Sequence, residues 1–196
     1  MGAYIVNKAL PRAALFLDRD GVINEDVGYL YRVDQFHFLP GVLETCKQMY
    51  EAGYALVVIT NQSGIARGYY TETDFQQLTR WMTEQFNLAG APLAAVYFCP
   101  HHPDFAAGED GSCHCRKPAP GMLLQAAAEL DLDLSRSLMV GDKEDDIRAG
   151  RAAGVGYCVR IAKDPATTQT DADLCVERLA ALPLSALKAG LATPTS

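Results

Sequence analysis

An apolar run that breaks into two carboxylates around an arginine, Leu15-Phe-Leu-Asp-Arg-Asp-Gly-Val-Ile-Asn24, is the part of this chain best suited to covalent chemistry. One carboxylate, Asp18, can attack an electrophile, and the other, Asp20, can move a proton. The run reads as a buried strand that delivers both acids to its C-terminal rim, where ligands bind in open α/β sheets. Taken alone, it could equally be a strand entering an Asp-Gly turn at Asp20-Gly21. Two further runs favour chemistry. Ala55-Leu-Val-Val-Ile-Thr60 ends in the polar rim Thr60-Asn61-Gln62-Ser63-Gly64, and Ser137-Leu-Met-Val-Gly-Asp142 ends in an acid followed by Lys143. Between them, Arg116-Lys117-Pro118 places two cations where an anionic substrate could be held.

Strand-like runs alternate with helical patterns, which predicts a doubly wound, parallel α/β sheet of the Rossmann-like type. Pro40-Gly41 opens a helix through Ala52, with Val42, Cys46, Met49 and Tyr50 at helical spacing and Gly53 closing it. Thr71-x-x-Asp74 resembles a capping box for a helix to about Leu88, with Phe75, Leu78, Met82 and Phe86 inward. Strands are expected at Ala94 to Cys99 and Tyr157 to Ile161, helices at Met122 to Leu130 and Asp145 to Ala153, and a short fraying helix after Leu182. A strand order of 3-2-1-4-5 would bring the ends at Asp18, Thr60 and Asp142 together. Asp145 and Asp146 are read as acids that stabilise a helix N-terminus, not as ligands.

The six cysteines supply a second constellation. Cys99-Pro-His101 and Cys113-His-Cys115 bracket a Gly- and Pro-containing loop and offer three thiolates and an imidazole, a set suited to tetrahedral zinc. His102 and His114 are rival ligands, and His101 is preferred because Cys-x-His then mirrors Cys-x-Cys. Four protein ligands leave no open coordination position, so the zinc would be structural and would fix Arg116 and Lys117, which directly follow Cys115. Cys46, Cys158 and Cys175 sit in apolar patterns and read as buried residues.

With 196 residues, 49% of them hydrophobic, the chain suits one domain, residues 1–196, with a zinc-binding loop at about 99–115 and no large cap. A net charge of -7 argues against nucleic-acid binding. No apolar stretch reaches membrane-spanning length, and Met1 to Arg12 lacks a signal-peptide core, so a cytoplasmic monomer acting on a small molecule is expected.

Asp18-x-Asp20, Thr60, Lys117 and Gly141-Asp142, in that order, resemble the four motifs of the haloacid-dehalogenase-like phosphatases. That resemblance implies Mg2+ held by the carboxylates of Asp18 and Asp142 and by the backbone carbonyls of Asp20 and Lys143. It also implies that Asp18 becomes an aspartyl phosphate while Asp20 first protonates the leaving alkoxide and then activates water. Thr60 would bond a phosphoryl oxygen, and Lys117 would counter its charge.

More narrowly, Asp18 to Tyr29, Thr60 to Gly68, Cys99-Pro-His-His-Pro103 and Cys113-His-Cys-Arg-Lys-Pro118 are similar to the heptose bisphosphate phosphatase branch, over about Ala13 to Arg160. The implied reaction removes the 7-phosphate of D-glycero-D-manno-heptose 1,7-bisphosphate and leaves the 1-phosphate for nucleotide activation towards lipopolysaccharide core. Arg19, Asp26, Gly28, Tyr29, Asn61, Gln62, Ser63 and Lys143 would line the substrate, and Arg116, a planar fork suited to phosphate, would recognise its retained part. Arg67 reads as a surface charge. Val22 departs from the superfamily pattern, which often has Thr there. The runner-up is a histidinol-phosphate phosphatase, and the rival of another class is an inactive zinc-stabilised binding module.

Overall fold

The computed structural model describes residues 12–105 and 113–184. Six parallel strands form one sheet: β1 (Ala14–Leu17), β2 (Ala55–Asn61), β3 (Leu93–Cys99), β4 (Leu138–Gly141), β5 (Tyr157–Ile161) and β6 (Leu174–Val176). Their order is β3-β2-β1-β4-β5-β6, so β1 lies between β2 and β4 as expected. Four α-helices cover the two faces: α1 (Val42–Glu51), α2 (Glu72–Leu88), α3 (Gly121–Leu130) and α4 (Glu144–Ala153).

Successive side chains on a strand point to opposite faces, and here both faces are buried. Leu15 and Leu17 pack with Val42, Cys46 and Met49 of α1 and with Leu78, Met82 and Phe86 of α2. Ala14 and Phe16 pack on the other side with Met122, Leu123 and Ala126 of α3 and with Ile147 and Ala149 of α4. This double burial is why the strands read as continuous apolar runs and not as alternating ones.

Several helix ends follow from their residues. Thr71 caps α2 in a full capping box: its hydroxyl accepts from the Asp74 N–H, and Asp74 accepts from the Thr71 N–H. Gly41 caps α1 with a φ of 78°, which a glycine adopts without strain.

Some expectations are corrected. Tyr50 is 38% exposed, because the inward stripe of α1 runs through Val42, Thr45, Cys46 and Met49. Cys46 and Cys158 are buried but Cys175 is only half-buried, on the three-residue edge strand β6, which the sequence pattern did not reveal. The Met1-to-Arg12 leader, apart from Arg12, the tip of the 99–115 loop and the tail beyond 184 lie outside the described residues. Among the described residues, no helix is long and apolar enough to cross a membrane.

Candidate active site

The order reversal between β1 and β4 creates a switch point, and the chemistry-bearing residues gather at its carboxyl rim. Asp18 follows β1 directly and is anchored there, its N–H donating to the Val140 carbonyl at 2.9 Å. Its side chain is almost fully buried, and Lys117 Nζ lies 2.9 Å from Oδ1. The same ammonium meets Asp146 Oδ1 at 2.6 Å and donates to the Ile59 carbonyl at 2.7 Å. Burial pushes the Asp18 carboxyl up to about 7; Lys117 pulls it the other way, while Asp146 and Asp20 add repulsion. Burial alone would lower Lys117, but Asp146 and Asp18 outweigh it and hold the ammonium above the ordinary lysine range.

Asp18, Asp142 and Asp146 each offer an oxygen within 4.8 Å of the others. Asp142 Oδ1 is buried and lacks a hydrogen-bond partner. Burial also raises the Asp142 carboxyl, with Lys143 opposing. Gly21, at φ 84°, passes so close to Asp142 that a Cβ there would lie 2.6 Å from Oδ2. Asp146 corrects an expectation. It does satisfy the start of α4, accepting from the Lys143 N–H at 3.0 Å, but it is also a buried partner of Lys117. The sequence held no separate signal for this second role, since an acid in the first turn of a helix is already accounted for electrostatically.

Asp20 is gripped by nitrogen donors. Arg19 reaches both its oxygens through Nε and Nη2, Asn24 Nδ2 donates at 3.0 Å, and Gln62 Nε2 donates at 3.1 Å. Arg19 itself is 1% exposed and spans from Asp20 to the Leu30 carbonyl. Gln62 is buried as well: it donates to Thr60 Oγ1 at 2.9 Å and accepts from the Tyr70 hydroxyl at 2.5 Å. Asn61 pins the Lys117 backbone from both sides, donating to its carbonyl and accepting from its N–H, each at 3.1 Å. Asn61 and Gln62 thus spend their side-chain bonds on neighbours within the site, whereas Nη1 of Arg19 is buried without a partner. Asp26, Gly28 and Tyr29 are exposed at its mouth, where Asp26 Oδ2 meets Lys143 Nζ at 3.4 Å and Oδ1 accepts from the Gly28 N–H. Ser63 is half-buried in the turn after β2, and its carbonyl accepts from the Arg67 N–H. The Lys143 carbonyl accepts from the Asp146 N–H at 3.1 Å.

Beside this rim, Cys99 Sγ, His101 Nδ1, Cys113 Sγ and Cys115 Sγ converge within 4.8 Å of one another. His102 is turned away: its Nε2 accepts from Arg67 at 2.8 Å and its Nδ1 faces the Asp104 N–H. Arg67 is therefore more than a surface charge, its guanidinium lying 4.7 Å from the Phe105 ring centroid. Arg116 donates to the His101 carbonyl at 3.1 Å and lines a 330 Å³ crevice with His102, Lys117 and Asp145.

Comparison with known proteins agrees with this arrangement. Residues 114–161 match the HAD-hydrolase-like family model. The chain is 49% identical over 181 residues to the D-glycero-beta-D-manno-heptose-1,7-bisphosphate 7-phosphatase of Yersinia pestis, covering 90% of this chain and 95% of that protein. It is 49% identical over 166 residues to the D-glycero-alpha-D-manno-heptose-1,7-bisphosphate 7-phosphatase of Burkholderia mallei, covering 84% of this chain and 88% of that one. Its structure superposes with a TM-score of 0.77 on the D,D-heptose 1,7-bisphosphate phosphatase of B. bronchiseptica, solved with magnesium and phosphate; identity is 32%, over 90% of this chain and 99% of that one. With its acids just past the ends of β1 and β4 and its lysine between them in sequence, the chain belongs to the haloacid-dehalogenase-like phosphatases, in the heptose-1,7-bisphosphate 7-phosphatase family.

Proposed function

We propose that this chain removes the 7-phosphate of D-glycero-D-manno-heptose 1,7-bisphosphate and leaves the 1-phosphate, with Asp18 as nucleophile. The observation that carries this proposal is the buried group of Asp18, Lys117 and Asp146 beside Asp142, in a chain half identical to enzymes of that name. The residues fit magnesium, a hard cation that takes oxygen ligands. The unpartnered, buried Asp142 Oδ1 is the kind of atom a metal completes. Asp18 and Asp142 would hold the ion through their carboxylates, with the Asp20 and Lys143 carbonyls, and Asp146 stands next to them. Bound magnesium supplies charge neutralisation, so that a carboxylate can approach a phosphate dianion.

The remaining steps fall to the chain's own groups. An Asp18 oxygen attacks phosphorus and the ester P–O bond breaks, its electron pair leaving on the alkoxide. Asp20, protonated, gives that alkoxide its proton; it then takes one from water, whose oxygen attacks phosphorus and frees Asp18 and inorganic phosphate. Thr60 holds a phosphoryl oxygen, and Lys117 offsets the charge on Asp18 and on the transferring group. Arg19, Asn61 and Gln62 act through the residues they fix, while Asp26, Gly28, Tyr29, Ser63, Lys143 and Arg116 are placed to meet the sugar and its second phosphate. Cys99, His101, Cys113 and Cys115 would bind zinc in a closed, structural site that ties the loop to Arg116.

The test compares kcat/KM, with magnesium, for the α and β anomers of heptose 1,7-bisphosphate, histidinol phosphate and fructose 1,6-bisphosphate. One heptose anomer should lead and thereby separate the two kinds of relative. A lead for histidinol phosphate would overturn the substrate assignment while leaving the chemistry standing. Asp18→Asn should lower turnover of every substrate by about a thousandfold or more.

A further inference from the structure

The crevice above the carboxyl ends of β4, β5 and β6 shares Asp26 and Asp142 with the site described above, but its far wall, on β5 and β6, takes no part in the proposed steps. It encloses 770 Å³, within the roughly 300–1,000 Å³ of sites that hold small ligands. Strand register explains its lining. Gly141 pairs with Arg160 and Ile161 with Val176, so Arg160 stands at the rim beside Asp142, and Arg178 leaves β6 at the same rim. Lys163, two residues past β5, completes a set of three cations around the crevice. Sheet order puts this crevice on the β5 and β6 side of Asp18, whereas Arg116 follows the cysteine loop that leaves β3 on the other side.

Nε and Nη1 of Arg160 are buried and have no hydrogen-bond partner. Among the described residues, no ion pair engages Arg160, Lys163 or Arg178. Covered guanidinium nitrogens without an acceptor are unfavourable, and an oxyanion is the acceptor that suits them. The acids on the same walls do not fill that role. Asp26 is paired with Lys143, Asp142 and the nearby Glu144 feel the Arg160 charge without forming an ion pair or hydrogen bond to it, and Glu25 and Glu177 are exposed.

We propose that this crevice is a second phosphate-binding site, in which Arg160, Lys163 and Arg178 hold a phosphate dianion. The dianion can be free inorganic phosphate or, in place of the contact with Arg116 given above, the retained phosphate of a bisphosphate substrate, and the site would hold either whichever ester the enzyme hydrolyses. Two measurements separate the sources.

In the first, protein labelled with 15N-arginine is loaded with Mg2+ and fluoroberyllate, which occupies Asp18, and titrated with inorganic phosphate. The Nε–H signal that disappears in Arg160→Met should move saturably, with roughly tenfold weaker affinity in Arg178→Met. In the second, the ratio of KM for heptose 1,7-bisphosphate to KM for p-nitrophenyl phosphate is compared across wild type, Arg160→Met and Arg178→Met. A roughly tenfold rise in that ratio assigns the site to the substrate's own phosphate. A phosphate response with an unchanged ratio assigns it to the free ion. An immobile Arg160 signal together with an unchanged ratio overturns the proposal. Arg178 is exposed, so its variant tests the site even if Arg160→Met folds poorly. If heptose bisphosphate proves not to be a substrate, the phosphate titration still decides this inference, and the two failures stay distinct.

Discussion

In the proposed reaction Asp18 has to be charged to attack, yet it lies where burial favours its protonated form. Its folded-state pKa, pushed from 3.8 up to about 7, is higher than in the unfolded chain, so the metal-free fold binds an extra proton across that interval. Metal-free stability should therefore fall as pH rises through the interval. Magnesium needs the carboxylate and displaces the proton, so its apparent affinity should climb with pH and level off above about 7. Melting curves with and without magnesium across this range check both trends; a magnesium-induced gain in Tm that is flat with pH would contradict them. Asp18 and Asp142 stand out in the sequence because nothing about packing asks for charged residues at the ends of apolar strands, and Lys117 because it sits beside Arg116 between them. Asp146 does not, because an acid in the first turn of a helix already has a sufficient electrostatic reason to be there. The partnerships of Arg19 and Gln62 were equally hidden, since a sequence shows which donors exist but not which acceptors they meet.

At the scale of elements, the cysteine loop depends on close backbone approach. The Gly121 N–H donates to the His114 carbonyl at 3.0 Å, and a Cβ on Gly121 would lie 2.1 Å from that oxygen. Gly121→Ala should push the Cys113–Cys115 turn off the start of α3, destabilising the protein by about 1–3 kcal/mol and weakening zinc retention, as measured by denaturant unfolding and metal analysis. Thr71→Ala offers a contrast on the far side of β2. Loss of its capping box should cost about 1 kcal/mol and leave zinc content unchanged. Both capping residues of α2 and the ligand pairs of the loop could be read from spacing, because each works within a few residues of chain. The edge strand β6 could not: three residues carry too short a period to count, and pairing with β5 is what makes them a strand.

Across the whole molecule, the two apolar cores lie on the two faces of the sheet, and of the four residues proposed to hold zinc only Cys99 is fully buried in one of them. Removing the metal with a strong chelator should therefore leave far-UV circular dichroism nearly intact while lowering kcat/KM for the bisphosphate, with zinc restoring it. Loss of the global fold on chelation would show that the loop carries more of the stability than its position suggests. The central place of β1 has a further consequence, which concerns how the chain comes to be folded at all. Ala14 donates its N–H to the hydroxyl of Ser137, and Leu15 pairs with Leu138, across more than a hundred residues of chain. The strand that ends just before Asp18 is thus made well before its partner, and its β4 edge stays open until about residue 141 has been made. Long-range parallel pairing is slow to form and leaves such an edge exposed in the meantime. The feature that joins Asp18 to Asp142 in the finished enzyme also makes the newborn chain dependent on a late closing step.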